Sequence, residues 1–495
     1  MIAVVGISLL LAVVMVISYG NLFAVAGLIG IFAVVAFTVY SIDWGFSIFI
    51  FFVFLFDQFD IPGFPTVTSQ LGYFTNLSTI EYLPRMNGAA VTPMELHLLF
   101  IFGVWTLLHI LRKGLRLAPP MQKAALVTYV IMIVIWLLRG QFRGGDFIIA
   151  LWEVRGLFYL AMMIFLTPQL IRSRDQLRNL LFVCIAGITV KALQGAFRYG
   201  SLGFTFGNWP QIYETLTNHE DPVFIITLLI LLIGLLLFGA KVKERTILLY
   251  LLPVLLLGFI AAQRRATYAS FAATLIAFVI LLPGRERWRL MKVFLVVAVF
   301  FGAYLGAFWN SSSRLAYPAQ QIKSTFTNEA GVRGEKDVLS AFYRDQENYN
   351  LAYTFRSNPV VGLGFGMPFE TPVHLWTINI NKLGIYIPHN QVFWIFIKMG
   401  AVGAFLFWFF FNGYLFRSAM IFARLTDPYL KAICAVCVVA VINQFVVSYV
   451  DMQLTFSRNM VYLGMLMGIP TVLVNIAANE AGAKANERHN DHMEN

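Results

Sequence analysis

Charge is what this sequence lacks most. Only 12% of its 495 residues are Asp, Glu, Lys or Arg, where a soluble domain carries about 25%. That deficit excludes an ordinary soluble globular chain. The formal net charge of +11 is scattered between apolar runs, so it builds no continuous basic face and nucleic acid is excluded as a partner. Cysteine is scarce too. Cys184, Cys434 and Cys437 all lie inside apolar runs, so no disulfide is expected. The CxxC spacing of Cys434 and Cys437 has no further ligands beside it; small buried side chains are the plainer reading than zinc. No basic n-region or cleavage site marks the first apolar run, which reads as a retained span. No internal repeat is visible.

Apolar runs fill the space that charge leaves. Hydrophobic residues make up 59% and Phe alone occurs 47 times. A membrane-crossing helix needs about 20 apolar residues. Such runs fall at roughly 2–19, 22–40, 43–57, 93–111, 124–138, 156–171, 179–197, 222–240, 246–263, 266–283, 290–309, 389–416, 429–449 and 459–477. The expected fold is all-α: a polytopic membrane protein with about 12–14 transmembrane helices and one large extracytoplasmic loop containing short helices. Residues 1–309 would hold transmembrane helices with short loops, 310–388 the large loop, and 389–477 the C-terminal transmembrane helices. Residues 478–495 read as a disordered polar tail.

Lys and Arg in short loops set orientation. The basic stretches Arg112 to Lys123, Arg172 to Arg178, Lys241 to Arg245, Arg285 to Arg289 and Arg417 to Lys431 all fall on one side. That side is expected to be cytoplasmic, both termini included, which puts 310–388 outside. Residues 58–92, with Pro62, Gly63, Pro65, Pro84, Asn87 and Gly88, read as a second, turn-rich outer excursion. The loops 139–155 and 198–221 are expected on the outer side as well.

Six arginines then sit where the positive-inside bias disfavours them: Arg139, Arg143, Arg155, Arg198, Arg264 and Arg265. The adjacent pair Arg264-Arg265 occupies a tight hairpin between apolar spans. Mutual repulsion favours an anionic partner there, and guanidinium suits phosphate through bidentate hydrogen bonds; the alternative is snorkelling to headgroups. In the large loop Arg344 and Glu347 stand three residues apart on a helix predicted over 338–356. As a local surface pair they are worth about 0.5 kcal/mol. Arg314, Arg333 and Arg356 share the loop. Gly362-Leu363-Gly364-Phe365-Gly366 lacks the context of a phosphate-binding loop and reads as a backbone turn needing small residues. Pro388-His389-Asn390 stands where the loop re-enters the membrane. His389 at a helix start can act as a base near pH 7, or simply bond a carbonyl or lipid phosphate. Asn218-His219-Glu220-Asp221-Pro222 is a similar polar cluster, with Asp221 expected to cap a helix opened by Pro222. Lys191, inside a span, either snorkels or joins Glu95 and His97, which open another span, as a secondary candidate.

The order of these features resembles the O-antigen ligase and polymerase superfamily, whose members transfer glycans from polyprenyl-pyrophosphate carriers. The resemblance rests on Gln263-Arg264-Arg265-Ala266, Arg344 to Glu347, Asn358-Pro359 through Gly366, and Pro388-His389-Asn390 leading to Gly400-Ala401-Val402-Gly403. It implies a metal-independent, inverting glycosyltransferase without cofactor in the cytoplasmic membrane, serving O-antigen, lipopolysaccharide or exopolysaccharide synthesis. His389, Arg265 and Arg344 would be catalytic: the arginines hold the donor diphosphate and His389 takes or orients the acceptor proton. Arg264, Arg155, His219, Glu347, Arg356 and Asn390 would bind substrate, and either Arg264 or Arg265 fills the family's hairpin role. Trp376, Tyr386 and Phe369 are candidates for sugar stacking by residue type. The expected partners are a polyprenyl-pyrophosphate-linked glycan donor, a glycan or lipid acceptor, and membrane lipids. A transporter or flippase is the competing reading; it would need charge deep in the spans and paired repeats.

Overall fold

A computed structural model describes residues 2–61, 64, 66–79, 90–111, 117–203, 216–311, 313–316, 319–320, 322–323, 335–375 and 382–493. Arg112, Lys113 and Arg116, the loop residues Pro62, Gly63, Pro65, Pro84, Asn87 and Gly88, and Arg333 and Trp376 lie outside the described residues. Within them the chain is helical and contains no strand. In chain order the helices are α1 (Ile2–Ile17), α2 (Leu22–Tyr40), α3 (Ile42–Leu55), the single turn α4 (Val67–Gln70), α5 (Pro93–Leu111), α6 (Lys123–Phe142), α7 (Phe147–Leu170) and α8 (Arg174–Ser201). Then come α9 (Asp221–Leu237), α10 (Lys243–Ala261), α11 (Arg265–Leu281), α12 (Gly284–Phe308), α13 (Glu335–Ser357), α14 (Gln391–Arg424), α15 (Pro428–Ser448) and α16 (Ser457–Met493). Nine helices among the described residues are long and apolar enough to cross a membrane, and four shorter apolar helices stand beside them. The protein is thus the all-α polytopic membrane protein that composition requires.

The helix starts follow local chemistry. Asp146 accepts from the Ile149 N–H at 3.0 Å to cap α7. Ser173 and Gln176 form a capping box for α8, and Asp427, followed by Pro428, caps α15. The α9 start differs by one residue from expectation: Glu220 precedes the helix and Asp221 lies inside it. Asp221 is drawn in because its carboxylate accepts from the Asn218 N–H at 3.0 Å and from Arg458 at 3.0 Å.

α7 and α16 make the most extensive helix pair. Gly464 and Gly468 let them touch: a Cβ on Gly464 would lie 2.6 Å from the Leu160 carbonyl oxygen, and one on Gly468 2.7 Å from Thr167. α15 packs against α9, α11, α14 and α16, and its cysteines Cys434 and Cys437 are free and buried. α12 lies at the periphery, with Val293, Leu295, Val296 and Phe300 exposed.

Three helix ends lie beyond the expected spans for a physical reason. α6 and α7 run past the expected spans, so the loop expected over 139–155 shrinks to the turn between Phe142 and Phe147. Arg139, Glu153 and Arg155 break the apolar window in sequence but find partners inside the fold. α16 likewise continues to Met493, through the segment expected to be a disordered tail. Glu480 there takes Arg174 at 2.8 Å, and Arg174 also reaches Asp427 at 2.7 Å.

Candidate active site

The site lies at the end of the bundle where α3, α8, α10 and α15 finish and α9, α11, α14 and α16 begin. It starts from a break in a helix. Gly400 adopts φ 62° and ψ −171° inside α14, which releases backbone groups on either side. Residues 359–364 pair with them. Ala401 N–H donates to Pro359 O at 2.8 Å and Val402 N–H to Val360 O at 3.1 Å; Leu363 and Gly364 N–H donate to Ile397 O and Lys398 O at 2.9 and 2.8 Å. Irregular backbone beside a membrane span survives only when satisfied in this way. Gly364, at φ +91°, has no room for a side chain, because a Cβ would sit 2.4 Å from the Gly140 nitrogen. The glycine-rich run is therefore a packing turn. Arg139 donates to Gly362 O at 2.9 and 3.0 Å, and Arg143 reaches Asn358 at 3.3 Å. A buried Glu153–Lys398 pair at 2.6 Å fastens the turn from beneath: Glu153 accepts from Gly366 N–H and Lys398 donates to Met367 O.

On this frame His389 is held just before α14. Its Nδ1 lies 3.1 Å from Glu347 Oε1, and its backbone N–H donates to Glu347 Oε2 at 3.0 Å. Asn390 caps α14 through Phe393 N–H at 3.0 Å and donates to Asn348 at 2.9 Å. Tyr343 meets the His389 ring edge-on at 5.6 Å. Glu347 is thus not the surface partner of Arg344 expected from spacing. It is only 1% exposed, because α13 buries a stripe of Tyr343, Glu347, Asn350, Leu351 and Thr354. Asn350 and Thr354 brace the segment carrying Glu370 and Val373 against that stripe.

The arginine hairpin meets the same region. Arg264 donates to Asp451 and, at 2.8 Å, to His219 Nε2; His219 Nδ1 lies 3.1 Å from Asp451. Burial pushes the Asp451 carboxyl up, but Arg264 and His219 outweigh it and hold it well below the usual carboxylate range, with His389 adding to the effect. For Arg344, burial pushes the guanidinium down; Asp451 and Glu347 oppose this, while Arg264 and Arg265 reinforce it. His389, Arg344, Arg264, Arg265, His219, Glu347 and Asp451 therefore share one electrostatic environment, assembled from residues far apart in sequence. Among the described residues no three His, Cys, Asp or Glu side chains are grouped to hold a metal ion.

Beneath this cluster lies a buried ionic floor. Lys191 does not snorkel: it bonds Asp57 at 2.7 Å, both nearly inaccessible. Burial pushes Asp57 up, yet Lys191 and Arg458 bring it down to about 2. Arg458, fully buried, donates to Val53 O, Phe54 O and Asp221, each at 3.0 Å. It lies 3.8 Å from Glu220, whose carboxyl burial raises to about 7.

Other expected residues stand apart. Arg155 is committed to Asn76 at 3.0 Å, to Ala90 O, to Glu95 at 3.7 Å and to the Trp152 ring, so it ties Asn76 and Ala90 to α7. Arg198 donates to Leu216 O at 3.0 Å. Arg356 is exposed, three turns along α13 from Arg344. His97 bonds Tyr73 at 2.9 Å inside the bundle. Phe369 is buried, and the Tyr386 ring lies 5.7 Å from the Lys398 ammonium. Sequence reasoning missed Asp451, Arg458, Asp57, Glu153 and Lys398. Arg458 obeys the same wrong-side argument as Arg264, and Lys398 interrupts an apolar run, which is itself a functional indicator in a span.

Residues 248–408 match the family model described as O-antigen ligase. No curated protein matches the chain. The matched stretch holds the arginine hairpin, the Arg344–Glu347 helix, the glycine turn, His389 and the Gly400 break.

Proposed function

We propose that the chain, whose residues 248–408 match the family model described as O-antigen ligase, transfers or polymerises glycan from a polyprenyl-pyrophosphate donor at the outer face of the cytoplasmic membrane. The convergence of His389 and Glu347 with Arg264, Arg265 and Arg344 is the observation that carries this reading. The three guanidinium groups take the donor diphosphate, which gains charge as its bond to the sugar breaks. His389, with Nδ1 held by Glu347, offers Nε2 to the acceptor hydroxyl. The acceptor oxygen then attacks the anomeric carbon from the face opposite the diphosphate. The C–O bond forms, the diphosphate leaves with the electron pair of the old bond, the proton passes to His389, and configuration inverts. Cationic charge comes from arginine, so the step calls for no metal. Asp451 and His219 fix the Arg264 fork. Arg265 shares the diphosphate with Arg264, and Asn390 sets the position of His389.

His389→Ala, Arg264→Ala, Arg265→Ala and Arg344→Ala are each expected to accumulate untransferred lipid-linked glycan while inserting normally. Transfer by purified membranes to a lipid-linked glycan, to a lipid A core, or to a protein separates polymerase, ligase and protein-glycosylating activities. Undiminished transfer by all four variants refutes the proposal.

A further inference from the structure

Two adjoining cavities, of about 240 and 140 Å³, lie at the end of the bundle away from the candidate active site. Asp43 and Gln176 line both, and the Gln176 amide donates to the Asp43 carboxylate. Asp43 stands in the first turn of α3, about 20 Å by helix rise from Asp57 of the ionic floor. Other acids at this end hold arginines: Asp427 and Glu480 take Arg174 at 2.7 and 2.8 Å, and Glu244 takes Arg178 at 3.2 Å. Asp43 has a neutral amide for its partner, so it keeps a full charge to offer a cation. The smaller cavity adds groups of the opposite kind. Arg172 lines it, with Nε donating to Gln169 O at 2.9 Å. Trp105 and His109 of α5 line it too, their rings stacked at 5.5 Å. Among the described residues Trp105 Nε1 and His109 Nδ1 are buried without a partner, and Trp105 is only 9% exposed. A buried N–H without an acceptor is costly, and it marks a place for one. Carboxylate, guanidinium and indole N–H thus line one space. The bilayer reaches it from the side: Trp44, on the larger cavity, is 52% exposed, and Leu107, Ile110 and Leu111 beside His109 are exposed. Tryptophan so placed is an anchor at headgroup level.

We propose that these cavities hold the headgroup of a zwitterionic aminophospholipid, with its primary ammonium on Asp43 and its phosphate against Trp105 and Arg172. The pairing of charges selects this head. A primary ammonium has three N–H donors for the carboxylate, as a lysine does. A choline head has none, and a glycerol head would leave Asp43 facing only a phosphate. The site uses no residue of the proposed reaction and stands at the other end of the bundle from it.

The test takes the full-length protein from nanodiscs of equal phosphatidylethanolamine, phosphatidylcholine and phosphatidylglycerol, and reads retained lipid by native mass spectrometry. Phosphatidylethanolamine should be enriched about tenfold over each of the others, the equivalent of one charge-assisted hydrogen bond. Asp43→Asn should abolish the enrichment. Trp105→Phe, which keeps a ring and loses the N–H, should lower it about threefold. Asp175→Asn, at an exposed acid in the first turn of α8, should leave it unchanged. In the wild type a carbodiimide should couple the lipid amine to Asp43 as an amide, located by peptide mapping; this decides the matter if either variant fails to fold. Equal retention of the three lipids overturns the proposal, as does enrichment insensitive to both substitutions or coupling only at other carboxylates. Displacement by water-soluble phosphoethanolamine overturns it too, because the ligand would then be a free zwitterion and not a lipid.

Discussion

Glu347→Gln tests the chemistry most directly. Glu347 accepts two hydrogen bonds from His389 and is shielded from water, so solvent cannot replace its charge. Glutamine keeps the size and can still accept from the His389 N–H, so the fold should survive. It removes the negative charge 3.1 Å from the ring nitrogen. When His389 takes the acceptor proton, that charge stabilises the new imidazolium. Two unit charges about 4 Å apart interact by about 4 kcal/mol at an effective dielectric of about 20. Losing most of that should lower kcat by about 10²–10³. KM for the donor should change less than about threefold, because Glu347 holds the histidine and not the diphosphate. Transfer in proteoliposomes at saturating acceptor, with donor varied from below to above its KM, reads the two separately. A glutamine variant with wild-type kcat, or one that loses donor affinity at unchanged kcat, would refute the dyad.

Three further outcomes are expected. Gly364→Ala should abolish correctly folded protein in a detergent thermal-shift assay, since the added carbon meets the Gly140 backbone; Gly144→Ala, also at positive φ but with open space around it, should cost only about 1–2 kcal/mol. Lys398→Met leaves Glu153 buried without its cation and should cost about 3–5 kcal/mol, with much of the loss recovered by adding Glu153→Gln, as measured by denaturation of the two variants. Glu220 is raised to about 7, so the folded state binds its proton more tightly than the unfolded state. Its contribution to stability is full below the ordinary carboxylate range and is lost as pH rises to about 7; Glu220→Gln should flatten that part of the stability profile.

The architecture was legible because membrane spans announce themselves by length and apolarity. His389 at a helix start and the Arg264-Arg265 hairpin stood out as polar breaks at span ends. Helix ends were less visible wherever a charged residue had an internal partner, as at Arg139 and Glu153. Pairing across long separations was not legible at all. Glu347 looked like a neighbour of Arg344 because three residues separate them, whereas its partner is His389. Asp451 lies in the short stretch between two apolar runs, and its role depends on Arg264 arriving from another hairpin. Arg155 read as a ligand-binding charge because nothing local shows that Asn76 and Ala90 will claim it.

The patch over the Gly400 break has a practical consequence for engineering. Residues 359–364 are hydrogen-bonded parts of α14 although they belong to the long loop. Swapping that loop alone between relatives would strip a membrane helix of its backbone partners, so a viable chimera must exchange the loop and the first half of α14 as one cassette.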